Sequence, residues 1–259
     1  MQTASTPLPA DARDAGAASR QADDGGQSRT TVITTAMQYS PPSSCARILI
    51  VGAGGFGREV VHWARAAWPA WTDRIAGFLA ADPPGTGGHE VAGGILGAPD
   101  DYQPLPGDGL VLAIGLPVIR RRIAESLLSR GGRFLTLVHP TAIVAPTATI
   151  GAGSILCPFA IASDASRIGR FVLVNYHASL GHDARVDDYA VLSPYAALGG
   201  GAHVGEDAFL GLHAAVGPGR SLGARGKVTA NSCLLTDAPA DALVFGVPGR
   251  VVSRPPLGD

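Results

Sequence analysis

From Val144 to Leu234 an aliphatic side chain recurs at every sixth position: Val144, Ile150, Leu156, Ala162, Ile168, Val174, Leu180, Val186, Leu192, Leu198, Val204, Leu210, Val216, Leu222, Val228 and Leu234. Only Ala162 is weak in that column. In most repeats a small residue stands two positions earlier, as at Ala142, Ala148, Ser154 and Ala160. An amphipathic helix would repeat near 3.6 residues and a half-buried strand at 2, so the spacing fits neither. It is the hexapeptide repeat of a parallel β-helix. Each repeat forms one flat face, its aliphatic side chain points inward, the small residue fits a corner, and three repeats close a coil. Residues 18 apart then stack at roughly 4.8 Å, which sets His182 between Asp164 and Gly200.

Upstream the pattern changes. Arg47–Val51 (RILIV) is a short buried strand, followed by Gly52-Ala53-Gly54-Gly55-Phe56-Gly57 and a helical stretch from Arg58 to about Trp68. Further strands are predicted at Ile75–Leu79, Gly109–Ile114 and Arg133–Val138, with a helix over Val118–Arg130. Together these make a small α/β sheet, giving a domain over residues 46–138 ahead of a β-helix over 139–253. A glycine turn between a strand and a helix N-terminus lets backbone N–H groups and the helix dipole meet a phosphate. That motif alone is weak evidence. A dinucleotide site would expect an acid at the end of the second strand, where the chain reads Phe78-Leu79-Ala80-Ala81 with Asp82 just beyond. A half-sized domain joined to a hexapeptide prism suits a nucleotide sugar better, and a loop that only packs is the bland alternative. Arg120-Arg121-Arg122 reads as a solvated helix face.

Composition narrows the classes. A formal net charge of -1 leaves no electrostatic footprint for nucleic acid. There is no long apolar run and no signal-peptide pattern, so a cytoplasmic protein without membrane insertion is expected. Cys45, Cys157 and Cys233 stand at no metal-ligand spacing and read as three reduced thiols, with no metal expected. Residues 1–45 lack the apolar content to fold and read as disordered. The natural start is either Met1 or Met37.

RILIVGAGGFGREVV, AIGLPVIRRRIAE, VHPTAIVAPTATIGAG, GHDARVDDYAVLSP and VFGVPGRVV together resemble the sialic-acid O-acetyltransferase and UDP-4-amino-sugar N-acetyltransferase family over residues 47–253. The resemblance implies a Rossmann-like domain that binds the nucleotide sugar, then a left-handed parallel β-helix that assembles as a homotrimer and uses acetyl-CoA. It implies catalysis by His182 and Asp183, and sugar-nucleotide contacts at Gly54, Gly55, Phe56 and Gly115. Coenzyme A would pass Val191, Leu212 and Ala230 in a groove between protomers. The GVPGR turn, Gly246–Arg250, resembles the loop that closes the prism. Three positions depart from the family pattern: Phe56 stands where a histidine is common, Ala80 and Ala81 where paired acids are common, and Val191 where some members carry a second histidine.

The residues support the same chemistry. Deprotonating an amine or hydroxyl as it attacks a thioester calls for a base that titrates near neutrality, which is histidine. A neighbouring carboxylate stabilises the imidazolium that forms. His177, Tyr195 and His213, spaced by 18, predict a stacked ladder on the prism surface, and His139 a cap at its entry. His62, His89 and His203 have no evident partner in sequence. The reading is an acetyl-CoA-dependent acyltransferase for a nucleotide-linked amino sugar destined for surface polysaccharide or glycoprotein, with direct transfer. A sialic-acid O-acetyltransferase and a silent trimeric scaffold with a nucleotide-sensing domain are the alternatives. The sequence leaves open the sugar, its nucleotide, N- against O-acylation and the acyl chain length.

Overall fold

The computed structural model describes residues 38–81 and 89–253. Met37 and Asp82 fall outside them, as does residue 1–37 of the segment read as disordered. Residues 39–45, grouped with that segment by composition, pack instead: Tyr39 lies against the prism core, its carbonyl accepts a 3.0 Å bond from the Trp68 indole, and Cys45 is buried. Two apolar anchors are enough to dock a stretch whose average composition is polar.

A four-stranded parallel sheet forms the first half. Its strands are β1 (Arg47–Val51), β2 (Ile75–Leu79), β3 (Ile95–Gly97) and β4 (Asp108–Leu112), in the order β3-β2-β1-β4. Strands β1 and β4 lead into helices, α1 (Gly55–Ala67) and α2 (Pro117–Ser129) respectively, and both are buried almost throughout, as parallel strands covered on both faces require. The strand expected over 133–138 divides. Phe134 makes a single bridge to Leu110, while Leu137–Val138 is the first rung of the prism. The edge strand β3 was not anticipated.

From Leu137 the chain winds into a triangular prism. Each of the sixteen repeats supplies a two-residue strand that ends on its column residue, from Ile143–Val144 to Cys233–Leu234. From Ile143–Val144 to Ala215–Val216 every strand pairs in parallel with the one 18 residues on, for example Leu173 with Val191 and Ser179 with Ala197. The column residues and the small residues before them fill one continuous core. Each turn needs a left-handed residue, which recurs at every sixth position: Phe159, Ala165, Phe171, His177, Asp183, Tyr189 and Tyr195 all have φ between 53° and 62°. A β-turn with positive φ at its third residue bends the chain sharply within four residues, and the stacked coils hold even aromatic residues in that conformation.

The three faces differ outwardly. The first carries Ile155, Leu173, Val191 and Phe209, and packs against the α/β half in a shared apolar core with Val60, Trp68 and Leu135. The second carries Ser179, Ala197, Ala215 and Cys233. The third carries Arg167, Arg185 and His203. At the far end Ala242–Phe245 and Arg250–Ser253 form an antiparallel hairpin around the GVPGR turn, and the Gly249 N–H donates to the Cys233 carbonyl at 2.8 Å.

Candidate active site

His182 and Asp183 occupy the turn between the second and third faces. The ladder that runs through Leu180 and Val186 fixes the turn, whose Asp183 N–H donates to the Asp164 carbonyl below, while the His182 carbonyl accepts from Gly201 above. His182 Nδ1 lies 2.8 Å from Asp183 Oδ2, and the two side chains are 73% and 67% exposed. An ionised carboxylate can only accept, so Nδ1 carries the proton and Nε2 keeps a free lone pair. Above the ring stands Gly200, and a Cβ built there would come within 3.0 Å of three ring atoms, Nε2 among them. The glycine therefore leaves the space in which the imidazole lies. The expected stacking of Asp164, His182 and Gly200 is met.

In the α/β half the glycines divide into two kinds. Gly52 (φ 109°) and Gly57 are packing glycines, for a Cβ on either would strike backbone, Ala113 O in one case and Gly52 O in the other. Gly55 and Gly115 face open space: a Cβ would meet only Arg58 at 4.0 Å from the first and nothing from the second. Gly54 caps α1, whose first turn holds no acidic residue, so the positive end of the helix is left for an anion. Phe56 turns inward and packs edge-on against Trp63 with ring centroids 5.7 Å apart. The structure brings Gly54, Gly55 and Gly115 to the carboxyl end of one sheet, where open α/β sheets take ligands.

The residues expected along coenzyme A separate. Leu212 and Ala230 lie on successive turns of the corner between the first and second faces and are exposed. Val191 is only 2% exposed, sealed between the prism and the α/β half.

Beside Leu212 runs the ladder of rings. His177, Tyr195 and His213 stack with centroids 4.7 Å apart and planes within 7°. Phe159 extends it by one rung, 4.9 Å from His177; its offset of 18 from His177 was the signal for it. His203, without an apparent partner in sequence, sits 2.8 Å from Asp187 Oδ2, which Arg185 also holds at 2.7 Å through Oδ1. His139 Nδ1 lies 2.8 Å from Thr141 Oγ1 at the entry to the prism.

Arg120, read as solvated, is completely buried, and burial pushes its guanidinium down to about 9. Arg121 is half-buried in an ion-pair cluster, and only Arg122 is free of the core, paired with Asp100 at 2.7 Å. A run of three arginines looks polar on any helical projection; Arg120 is buried because a prism turn 51 residues away covers it. All three cysteines are free, and burial raises the Cys157 thiol well above its usual range and the Cys45 thiol as well. Among the described residues no group of three or more His, Cys, Asp or Glu side chains could hold a metal ion, and no helix is long and apolar enough to cross a membrane.

The prism and its appended sheet define a class, and comparison with known proteins identifies it. Residues 47–127 match the PglD N-terminal domain. A 64-residue stretch is 39% identical to GDP-perosamine N-acetyltransferase of Escherichia coli O157:H7, spanning 29% of that enzyme's length. PerB of Caulobacter crescentus, solved with CoA and GDP-perosamine, superposes with a TM-score of 0.70 at 30% identity, over 80% of this chain and 97% of that one. The acetyltransferase domain of PglB from Neisseria gonorrhoeae FA1090, solved with acetyl coenzyme A, gives 0.70 at 27% identity over 80% and 99%. The chain belongs to the UDP-4-amino-sugar N-acetyltransferase family. Its fold is the α/β domain followed by a left-handed β-helix that the sequence implied.

Proposed function

We propose that this protein transfers the acetyl group of acetyl-CoA to the amino group of a nucleotide-linked 4-amino sugar, in the cytoplasm, for surface polysaccharide or glycoprotein. The observation that carries the reading is the His182–Asp183 pair, exposed on a prism edge with Nε2 free, in a chain that resembles enzymes solved with CoA and GDP-perosamine. Transfer is direct. The sugar amine attacks the thioester carbonyl carbon, backbone N–H groups receive the oxyanion, and Nε2 takes the proton the nitrogen sheds. The C–S bond then breaks, and the imidazolium returns the proton to the departing thiolate, yielding coenzyme A and the N-acetyl sugar. Asp183 stabilises the imidazolium between those two events. The thiols stand aside: two are buried and the third half-buried.

The assembly we propose is a homotrimer with shared sites. The α/β half covers the first face, and His182 lies on the edge opposite that face. Leu212 and Ala230 lie on yet another edge. A sugar held at Gly54, Gly55 and Gly115 is thus turned away from its own chain's base, and the base of a neighbouring copy completes the site. Closed rings are the usual outcome of such head-to-tail pairing.

The test is to incubate the protein with acetyl-CoA and GDP-, UDP-, dTDP- and CMP-linked sugars, following thiol release and product mass. An acetylated 4-amino sugar nucleotide is expected. Transfer to the hydroxyl of a CMP-linked sialic acid would make it an O-acetyltransferase, and no transfer to any acceptor would leave a scaffold.

A further inference from the structure

Arg120 and Arg121 are the fourth and fifth residues of α2, which opens three residues after Ile114 and two after Gly115. The buried Arg120 guanidinium donates to three carbonyls: Phe171 of the prism through Nε at 2.6 Å, and Leu112 and Ile114 through Nη1 at 2.8 Å each. Its Nη2, also buried, has no partner. Taking a charge out of water is costly, and an apolar joint of the same size is often the more stable solution. What the guanidinium supplies instead is direction, since its donors are fixed in one plane. Leu112 ends β4 and Ile114 follows it by two residues, and the N–H of Ala113 between them donates to the Val51 carbonyl at 2.8 Å, just before Gly52. One side chain therefore ties the loop after β4 to a prism turn directly, and the end of β1, where the glycine turn begins, through that backbone bond.

Arg121 grips the same edge further along. It donates to both carboxylate oxygens of Asp207 at 3.0 and 2.9 Å, pairs with Glu206, and lies 4.1 Å over the Tyr189 ring. Phe171, Tyr189 and Asp207 are spaced by 18, so the two arginines hold three successive coils. The Phe171 and Tyr189 rings stack 5.1 Å apart, and Phe134 meets Phe171 edge-on at 5.0 Å.

We infer that Arg120 and Arg121 are positioning residues: a clamp that fixes the distance and angle between the sugar-nucleotide loops and the prism, on which acetyl transfer depends. This rests on the reading that the α/β half holds the sugar nucleotide. Because each prism edge is a rigid ladder, movement of the α/β half on its own prism displaces the amine from the base on the neighbouring copy. A misplacement of about 1 Å can cost roughly 10²-fold in rate.

The experiment uses Arg121→Met and Arg121→Lys in the full-length assembled protein, because Arg121 is partly exposed and its loss should leave the fold intact; Arg120→Met is the harsher companion. Three quantities are read: kcat, the sugar-nucleotide Kd by calorimetry, and the spread of distances between spin labels at Ala66→Cys on α1 and Thr149→Cys on the prism, in labelled chains diluted with unlabelled ones. Arg121→Met should lower kcat by about tenfold or more, leave the Kd within about twofold, and broaden the distance distribution. Arg121→Lys, which keeps a cation over Tyr189, should recover part of the rate. Wild-type kcat in Arg121→Met, or a distribution as narrow as the parent's, overturns the clamp. If the parent protein acetylates no acceptor, the functional reading fails by itself, and an unbroadened distribution would then still overturn the clamp.

Discussion

At the scale of the residue, the site turns on one imidazole and the room left for it. General-base assistance is worth about 10² to 10⁴-fold, so His182→Ala should lower kcat by that order while stability changes by less than about 0.5 kcal/mol, as for an exposed position. Asp183→Asn should cost less, since the ring keeps its place and loses only the charge beside it. Gly200 gives a sharper test. Its backbone lies outside the left-handed region, so alanine is acceptable to the main chain, yet the new methyl would meet the His182 ring. The ring can swing outward, which spares stability but displaces Nε2. Gly200→Ala should therefore reduce kcat by about tenfold or more with an unchanged melting temperature; full activity would show that the ring's resting position does not matter.

At the scale of the element, the glycine turn and the charged face make separate predictions. Gly54→Val adds a branched side chain at the helix cap where a diphosphate approaches, and should weaken sugar-nucleotide binding while acetyl-CoA binding is kept; calorimetry showing equal weakening of both would defeat the idea of separate sites. On the third face, burial alone would raise the Asp187 carboxyl, but the bonds from His203 and Arg185 outweigh it and hold the group below its usual range. A carboxylate with a depressed folded value adds stability above its unfolded value, near 4, and loses it as the pH falls through the folded one. Asp187→Asn should thus lower the melting temperature at neutral pH, by an amount that shrinks progressively as the pH falls below about 4.

These elements also show why sequence revealed some features and hid others. The prism was legible because every repeat states its own pattern, one inward aliphatic and one small corner residue, and the same register then located the His182 turn and the ring ladder. The helices and central strands of the α/β half fell within a few residues of their expected positions for the same local reason. What stayed hidden depends on packing between distant segments. Arg120 is buried by a turn 51 residues on, Val191 is covered by the α/β half, and the edge strand β3 has exposed Ile95 and Leu96 with no pattern of its own.

At the scale of the whole molecule, the account's central claim is that His182 of one copy acts on a sugar held by the glycine loop of another. Mixed assemblies test it. Gly54→Val and His182→Ala chains are made separately, each expected to be nearly inactive, then unfolded, mixed in equal amounts and refolded, and acetyl transfer is measured on the acceptor found for the parent protein. Random mixing into cyclic trimers puts an intact loop beside an intact base at about one site in four. The account predicts that the mixture regains about a quarter of the parent activity; a mixture as inactive as its two components, or a His182→Ala chain that turns over like the parent, would contradict it.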